Sequence, residues 1–133
     1  MTLIPAAPHR ERYLADSIAT ASPARLLVML YDRLVLDLSR AEAALAAGDT
    51  AEGSTQLLHA QEIVIELRAS LNLDAWEGAP GLAQLYGFLL TELVNANVRR
   101  DAARVAAARA LVEPLRDAWR EAAASLAVPV ATG

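Results

Sequence analysis

Ser22-Pro23, followed directly by Leu26, Leu27, Val28, Met29, Leu30 and Tyr31, constrains this chain more than any other stretch. A serine hydroxyl can accept from the unpaired N–H groups of a first helical turn, and a proline at the first helical position loses an N–H that has no partner there anyway. A helix therefore begins here. Leu27, Leu30, Tyr31, Leu34, Leu38, Ala41 and Leu45 fall on one stripe of it, and Leu26, Met29 and Leu36 fall on a second beside the first. One packing face needs only one stripe. The surplus predicts a helix covered from more than one side, either by its own bundle or by a bundle plus a bound partner.

The rest of the chain repeats that signal. At 133 residues with 55% hydrophobic residues, much of them Ala and Leu, the chain reads as one all-α domain large enough to bury a core without staples. It has no cysteine, which removes disulfides and thiolate metal sites. Met1 to Arg12 holds no apolar run of signal-peptide length, and no segment approaches the ~20 apolar residues of a membrane span. The expectation is a cytoplasmic protein without membrane insertion. Twelve basic residues, all Arg, against sixteen acidic ones leave a net charge of −4, which argues against nucleic acid as a partner.

In chain order, residues 1–19 carry Pro5, Pro8 and the charged cluster His9 to Arg12, and should form a partly ordered N-terminal arm whose Tyr13 and Ile18 can dock on the bundle. The bundle is expected over 20–128. Its first helix runs to about 47 and stops at Gly48, where a left-handed cap is sterically free. Asp49-Thr50-Ala51-Glu52 has capping-box spacing and starts a second helix, antiparallel to the first, that ends near Leu71. Within its apolar arc, beside Ile63, Ile65 and Leu67, stand Gln61 and Arg68. A buried amide must find partners, so Gln61 is either satisfied by neighbours or offered to another chain. Asn72 to Gly81 reads as a loop, with Trp76 either a lid over the bundle end or an exposed contact.

A third helix, about 82–100, carries Leu82, Leu85, Tyr86, Phe88, Leu89, Leu90, Leu93, Val94 and Val98, covering well over half its circumference. Asn97 lies inside that arc, with the same two readings as Gln61. A fourth helix, about 102–127, has a narrow stripe of Val105, Ala108, Leu111, Val112, Leu115, Trp119, Ala122 and Leu126 and reads as bundle wall, bent at Pro114 away from its buried face. Residues 129–133 should fray. The whole is an antiparallel four-helix bundle in which helices 1 to 3, but not helix 4, carry apolar surface in excess of a core, the mark of a partner or oligomer surface.

Catalysis finds no constellation. His59 and Glu62 stand in the wrong order for a di-metal bundle motif, and no glycine-rich loop could cradle a phosphate. The Asp32/Asp37 and Glu62/Glu66 carboxylates read as solvated helix faces. No enzyme activity, metal or cofactor is expected.

Four groups of residues, in order and in register, resemble the flagellar secretion chaperone FliS family. They are Tyr13 with Ile18, Thr20-Ala21-Ser22-Pro23, Leu26 and Met29-Leu30-Tyr31-Asp32; Ala60-Gln61 with Ile63, Ile65, Glu66 and Leu67; Leu85-Tyr86 and Leu93 with Ala96-Asn97 and Asp101; and Leu115-Arg116-Asp117-Ala118-Trp119. The resemblance covers residues 13 to about 122. It implies a cytosolic export chaperone that binds the disordered C-terminal segment of flagellin, prevents premature polymerisation and delivers it to the flagellar type III export gate. Another flagellar regulator can share the site, and the unliganded chain can form a homodimer through its spare apolar surface. An amphipathic segment that is disordered when free can fold on binding into grooves between helices. The partner-binding residues so implied are Tyr13, Ile18, Leu26, Met29, Leu30, Tyr31, Gln61, Ile65, Arg68, Tyr86, Leu90, Leu93, Val94 and Asn97. Family members can also lay the arm over part of the groove, a role that falls to Tyr13 and Ile18 here. Arg33, Gly87 and Glu92 depart from the family pattern and alter the polar detail of that surface. The alternative is a helical adaptor of the same fold for a different secreted or regulatory client.

Overall fold

The computed structural model describes residues 22–127, and several of its helix ends have a local cause. The α1 helix (Pro23–Ala46) opens with the Ser22 hydroxyl accepting from the Arg25 N–H at 3.1 Å. It closes at Gly48, whose φ of 81° lets the chain turn back so that the Gly48 N–H donates to the Leu45 carbonyl and the Asp49 N–H to the Ala44 carbonyl. Asp49 then caps α2 (Thr50–Ser70) by accepting from the Glu52 N–H. Only half of the expected capping box forms, because the Asp49 N–H that Glu52 would bond is already committed to Ala44.

The α3 helix (Ala79–Arg99) starts three residues before the leucine at which the apolar run predicted it. Pro80 falls in its first turn, where the missing N–H is harmless, so it opens the helix instead of excluding it. Arg100 takes the left-handed conformation at φ 55°, and Asp101 caps α4 (Ala102–Ala127) through the Arg104 N–H at 3.1 Å. Pro114 sits on the exposed side of α4, as its spacing requires.

The four helices neighbour one another in the ring order α1, α2, α3, α4 and back to α1, with the α1 seams the most extensive and the α3–α4 seam the least. Connections of three, eight and two residues join them, which suits antiparallel neighbours. Tyr31, Leu34 and Leu38 of α1 meet Leu57, Val64 and Leu67 of α2, Tyr86, Leu89 and Leu93 of α3, and Val105 and Val112 of α4 in a single core. Each fully buried Leu or Val of this set stabilises the fold by roughly 1.5–3 kcal/mol.

Two sequence expectations need correction. Asp37 is not on a solvated face: it is wholly buried, because α2 packs against that side of α1. Its Oδ1 accepts from Arg33 Nε at 2.9 Å, and its Oδ2 is bonded to His59 Nδ1, so the carboxylate ties α1 to α2. Leu111 is not part of a closed wall either. It is 44% exposed, since α3 covers α4 only sparsely there. The α1–α4 seam is closed by ion pairs, Glu42 with Arg109 at 2.6 Å and Asp32 with Arg120 at 2.6 Å. The hydrogen bond to Glu42 holds the Arg109 guanidinium still more firmly protonated than usual.

Candidate functional site

A cleft of about 440 Å³ opens at the end where α1 and α3 begin and α2 and α4 finish. Leu26, Leu27 and Leu30 form one wall, Leu67 and Leu71 the opposite one, and Tyr86 and Trp119 stand at its base, with Glu66, Ser70 and Asn72 at the polar edge. Helical spacing explains the first wall: Leu27 and Leu30 lie on the core stripe, but the ring of neighbours has thinned at this end, so they remain only partly covered.

Beneath the cleft the phenols of Tyr31 and Tyr86 meet at 2.6 Å, tying α1 to α3 across the diagonal of the bundle. Both are about 1% exposed, and burial pushes both phenols above the usual tyrosine range, Tyr86 furthest, with its Tyr31 neighbour adding to the rise. They therefore stay neutral and paired throughout the physiological range. The Trp119 ring lies 6.4 Å from Tyr31 and makes an edge-on contact with Trp76, also at 6.4 Å and 87°. Its Nε1 is buried with no hydrogen-bond partner among the described residues.

A second surface runs along α2 and α3. Ile65 is 49% and Val94 45% exposed, Arg68 is exposed, and Gln61, Leu90 and Asn97 are half-buried. His59 faces α1 and Glu92 faces α4, through Asp37 and Arg104 respectively, so the helical register turns Gln61 and Leu90 towards the α2–α3 seam. Among the described residues neither Gln61 nor Asn97 makes a side-chain hydrogen bond, and both are half-buried. Leu58 and Val98 extend the same surface, 52% and 75% exposed. Periodicity alone does not mark them, because an apolar residue on an apolar arc reads as core until its neighbours are known.

The remaining implicated residues divide. Leu26, Leu30 and Tyr86 line the cleft. Tyr31 and Leu93 are about 1% exposed and support the surface from below. Met29 points the other way, to a smaller hollow of about 310 Å³ between α1 and α4 beside Asp32 and Arg120. Tyr13 and Ile18 lie outside the described residues. Among the described residues there is no cluster of potential metal ligands and no helix long and apolar enough to cross a membrane.

The family model for the flagellar protein FliS matches residues 6–126. This chain belongs to the FliS family. It is 31% identical over 110 residues to the flagellar secretion chaperone FliS of Bacillus subtilis, covering 83% of this chain and 82% of that one. With the Salmonella typhimurium protein of the same name it shares 31% identity over 108 residues, 80% of each chain. A bacterial flagellar chaperone of known crystal structure superposes with a TM-score of 0.71 over 89% of this chain and 97% of that one; at 23% identity it supports the fold. FliS membership makes the chain a flagellar export chaperone, and a chaperone is not an enzyme class.

Proposed function

We propose that this FliS-family chain binds the C-terminal segment of flagellin in the bacterial cytosol, keeps it from polymerising and hands it to the flagellar type III export gate. The observation that carries this reading is the α2–α3 surface, where large apolar side chains stand exposed around two half-buried amides, Gln61 and Asn97. Apolar area supplies affinity for the non-polar side of an amphipathic segment, and Gln61 and Asn97 set its register by hydrogen bonding. The cleft continues the binding surface at the bundle end. Gly87 fits the same reading. A Cβ added there meets nothing within 4 Å in the chain itself, so no internal packing requires glycine at this mid-helix position.

Calorimetric titration against the flagellin C-terminal segment tests this. Saturable binding with a negative heat-capacity change is expected, weakened on the order of 30-fold or more by Val94→Asp, a buried-charge penalty at a partner contact. Val94 is chosen over Leu90 because Leu90 also packs on the core, whereas Val94 can be replaced without disturbing it. A folded, monomeric sample that binds no flagellin segment would remove flagellin as the client.

A further inference from the structure

The loop between α2 and α3 holds Trp76 in a position that its own exposure does not explain. The indole is 50% exposed, on a segment of two successive turns closed by the Ala75 N–H on the Asn72 carbonyl and the Ala79 N–H on the Trp76 carbonyl. Asn72 Oδ1 adds a third tie by accepting from the Asp74 N–H at 3.0 Å. From this platform the ring, one of the side chains lining the cleft, makes the edge-on contact with Trp119. Gly78 makes that reach feasible. Its backbone, at φ −80° and ψ −10°, suits any residue, yet a Cβ there would overlap the Trp76 ring at Cε3, Cζ3 and Cη2. Glycine at 78 thus serves the placement of the ring and not the turn of the chain.

We propose that Trp76 is a latch on the cleft. Its ring rests against Trp119 when the cleft is empty and swings outward when an apolar segment enters, so that client entry is gated by the α2–α3 loop. This rests on the cleft being part of the client site. The physical basis is a mismatch of commitments: the loop backbone is tied at three points, while the ring lies over the Gly78 backbone and is otherwise held by the edge-on contact with Trp119, half in water. Such a contact is strong enough to bias the ring inward and weak enough for a client side chain to replace.

Gly78→Ala forces the ring away while leaving the identity of every other cleft-lining side chain unchanged, and Trp76→Ala removes it altogether. Both variants are compared with the wild-type full chain labelled with 5-fluorotryptophan. The readouts are the fluorine resonance of residue 76, binding of the apolar dye 1-anilinonaphthalene-8-sulfonate, and the association rate of the flagellin C-terminal segment. The expected result in Gly78→Ala is a solvent-exposed Trp76 resonance with dye binding and association raised roughly 2- to 10-fold, the range one aromatic contact can hold back. Trp76→Ala should raise both in the same direction. If the ring moves and neither rate nor dye binding rises, or if both variants bind more weakly, Trp76 is a wall of the cleft and the latch is wrong. Absence of flagellin binding by the wild-type chain would defeat the client assignment instead, and the dye measurement would still decide the latch.

Discussion

The two halves of this bundle are held by different forces. Around α1 the seams combine extensive packing with charged contacts: the Asp37 carboxylate, paired with Arg33 of its own helix, is bonded to His59 of α2, and Glu42 with Arg109 and Asp32 with Arg120 pair towards α4. Around α3 the packing is slighter, and among the described residues Glu92 with Arg104, at 3.4 Å, is its one cross-helix ion pair. The α3 helix has only Glu92 and Arg99 as charged residues, and it leaves Phe88, Val94 and Val98 exposed. A helix bundle that must keep its own fold while offering apolar area to a guest can separate the two tasks in this way. The side laced by charges specifies the fold; the side left apolar is free for a partner.

The comparison breaks most readily at Asp37. Replacing both Arg33 and His59 with Ala strands a buried carboxylate, at a cost towards the lower end of 3–5 kcal/mol because both partners are half in water. The matching change on the other side, Glu92→Ala, should cost about 0–1 kcal/mol. Urea unfolding of the two variants measures the contrast, and equal losses would dissolve it.

Among the described residues the side-chain hydrogen bond that joins α1 directly to α3 is Tyr31–Tyr86, and alkaline unfolding probes it. Both phenols titrate higher in the folded chain than in the unfolded chain, so above pH ~10 the unfolded state sheds protons that the folded state keeps. Stability from these groups is complete below that pH and falls above it, by up to about 1.4 kcal/mol per pH unit for each phenol. Tyr86→Phe should remove one phenol's share of that slope while costing about 1–3 kcal/mol at neutral pH through the unpaired Tyr31 hydroxyl. An unchanged slope would mean that the phenols do not govern the alkaline limit.

The smallest expected effect sharpens the comparison on the α3 side. Gly87→Ala should stabilise the free protein by up to ~1 kcal/mol, since the helix gains and nothing within 4 Å is displaced. If a client backbone lies against this position, the same change should weaken flagellin binding. Thermal melts and titration together separate the two effects, and a gain in both would show that no client backbone comes close at Gly87.

Much of the architecture was legible in the residues because the relevant physics is local. Ser22, Gly48, Asp49 and Asp101 mark helix ends through backbone groups a few residues away, and the leucine stripes mark core faces at a fixed angular period. Pro80 was misread for a reason of the same kind, since a proline can either open a helix or exclude one. Asp37 and Leu111 were misread for a different reason. Their burial depends on which neighbouring helix lies on which side, and how closely, and no periodicity within one helix carries that information.

Local physics in the sequence was thus enough for the number of described helices, most of their ends, most of the core residues and the excess of apolar surface that points to a partner. Only the tertiary structure decided where that excess comes to lie. The ring order of the helices buries Tyr31 and Leu93, turns Met29 away, opens the cleft over Tyr86 and Trp119, and leaves Ile65 and Val94 in solvent. A side chain's direction is a property of its own helix, whereas its exposure is a property of everything packed around it.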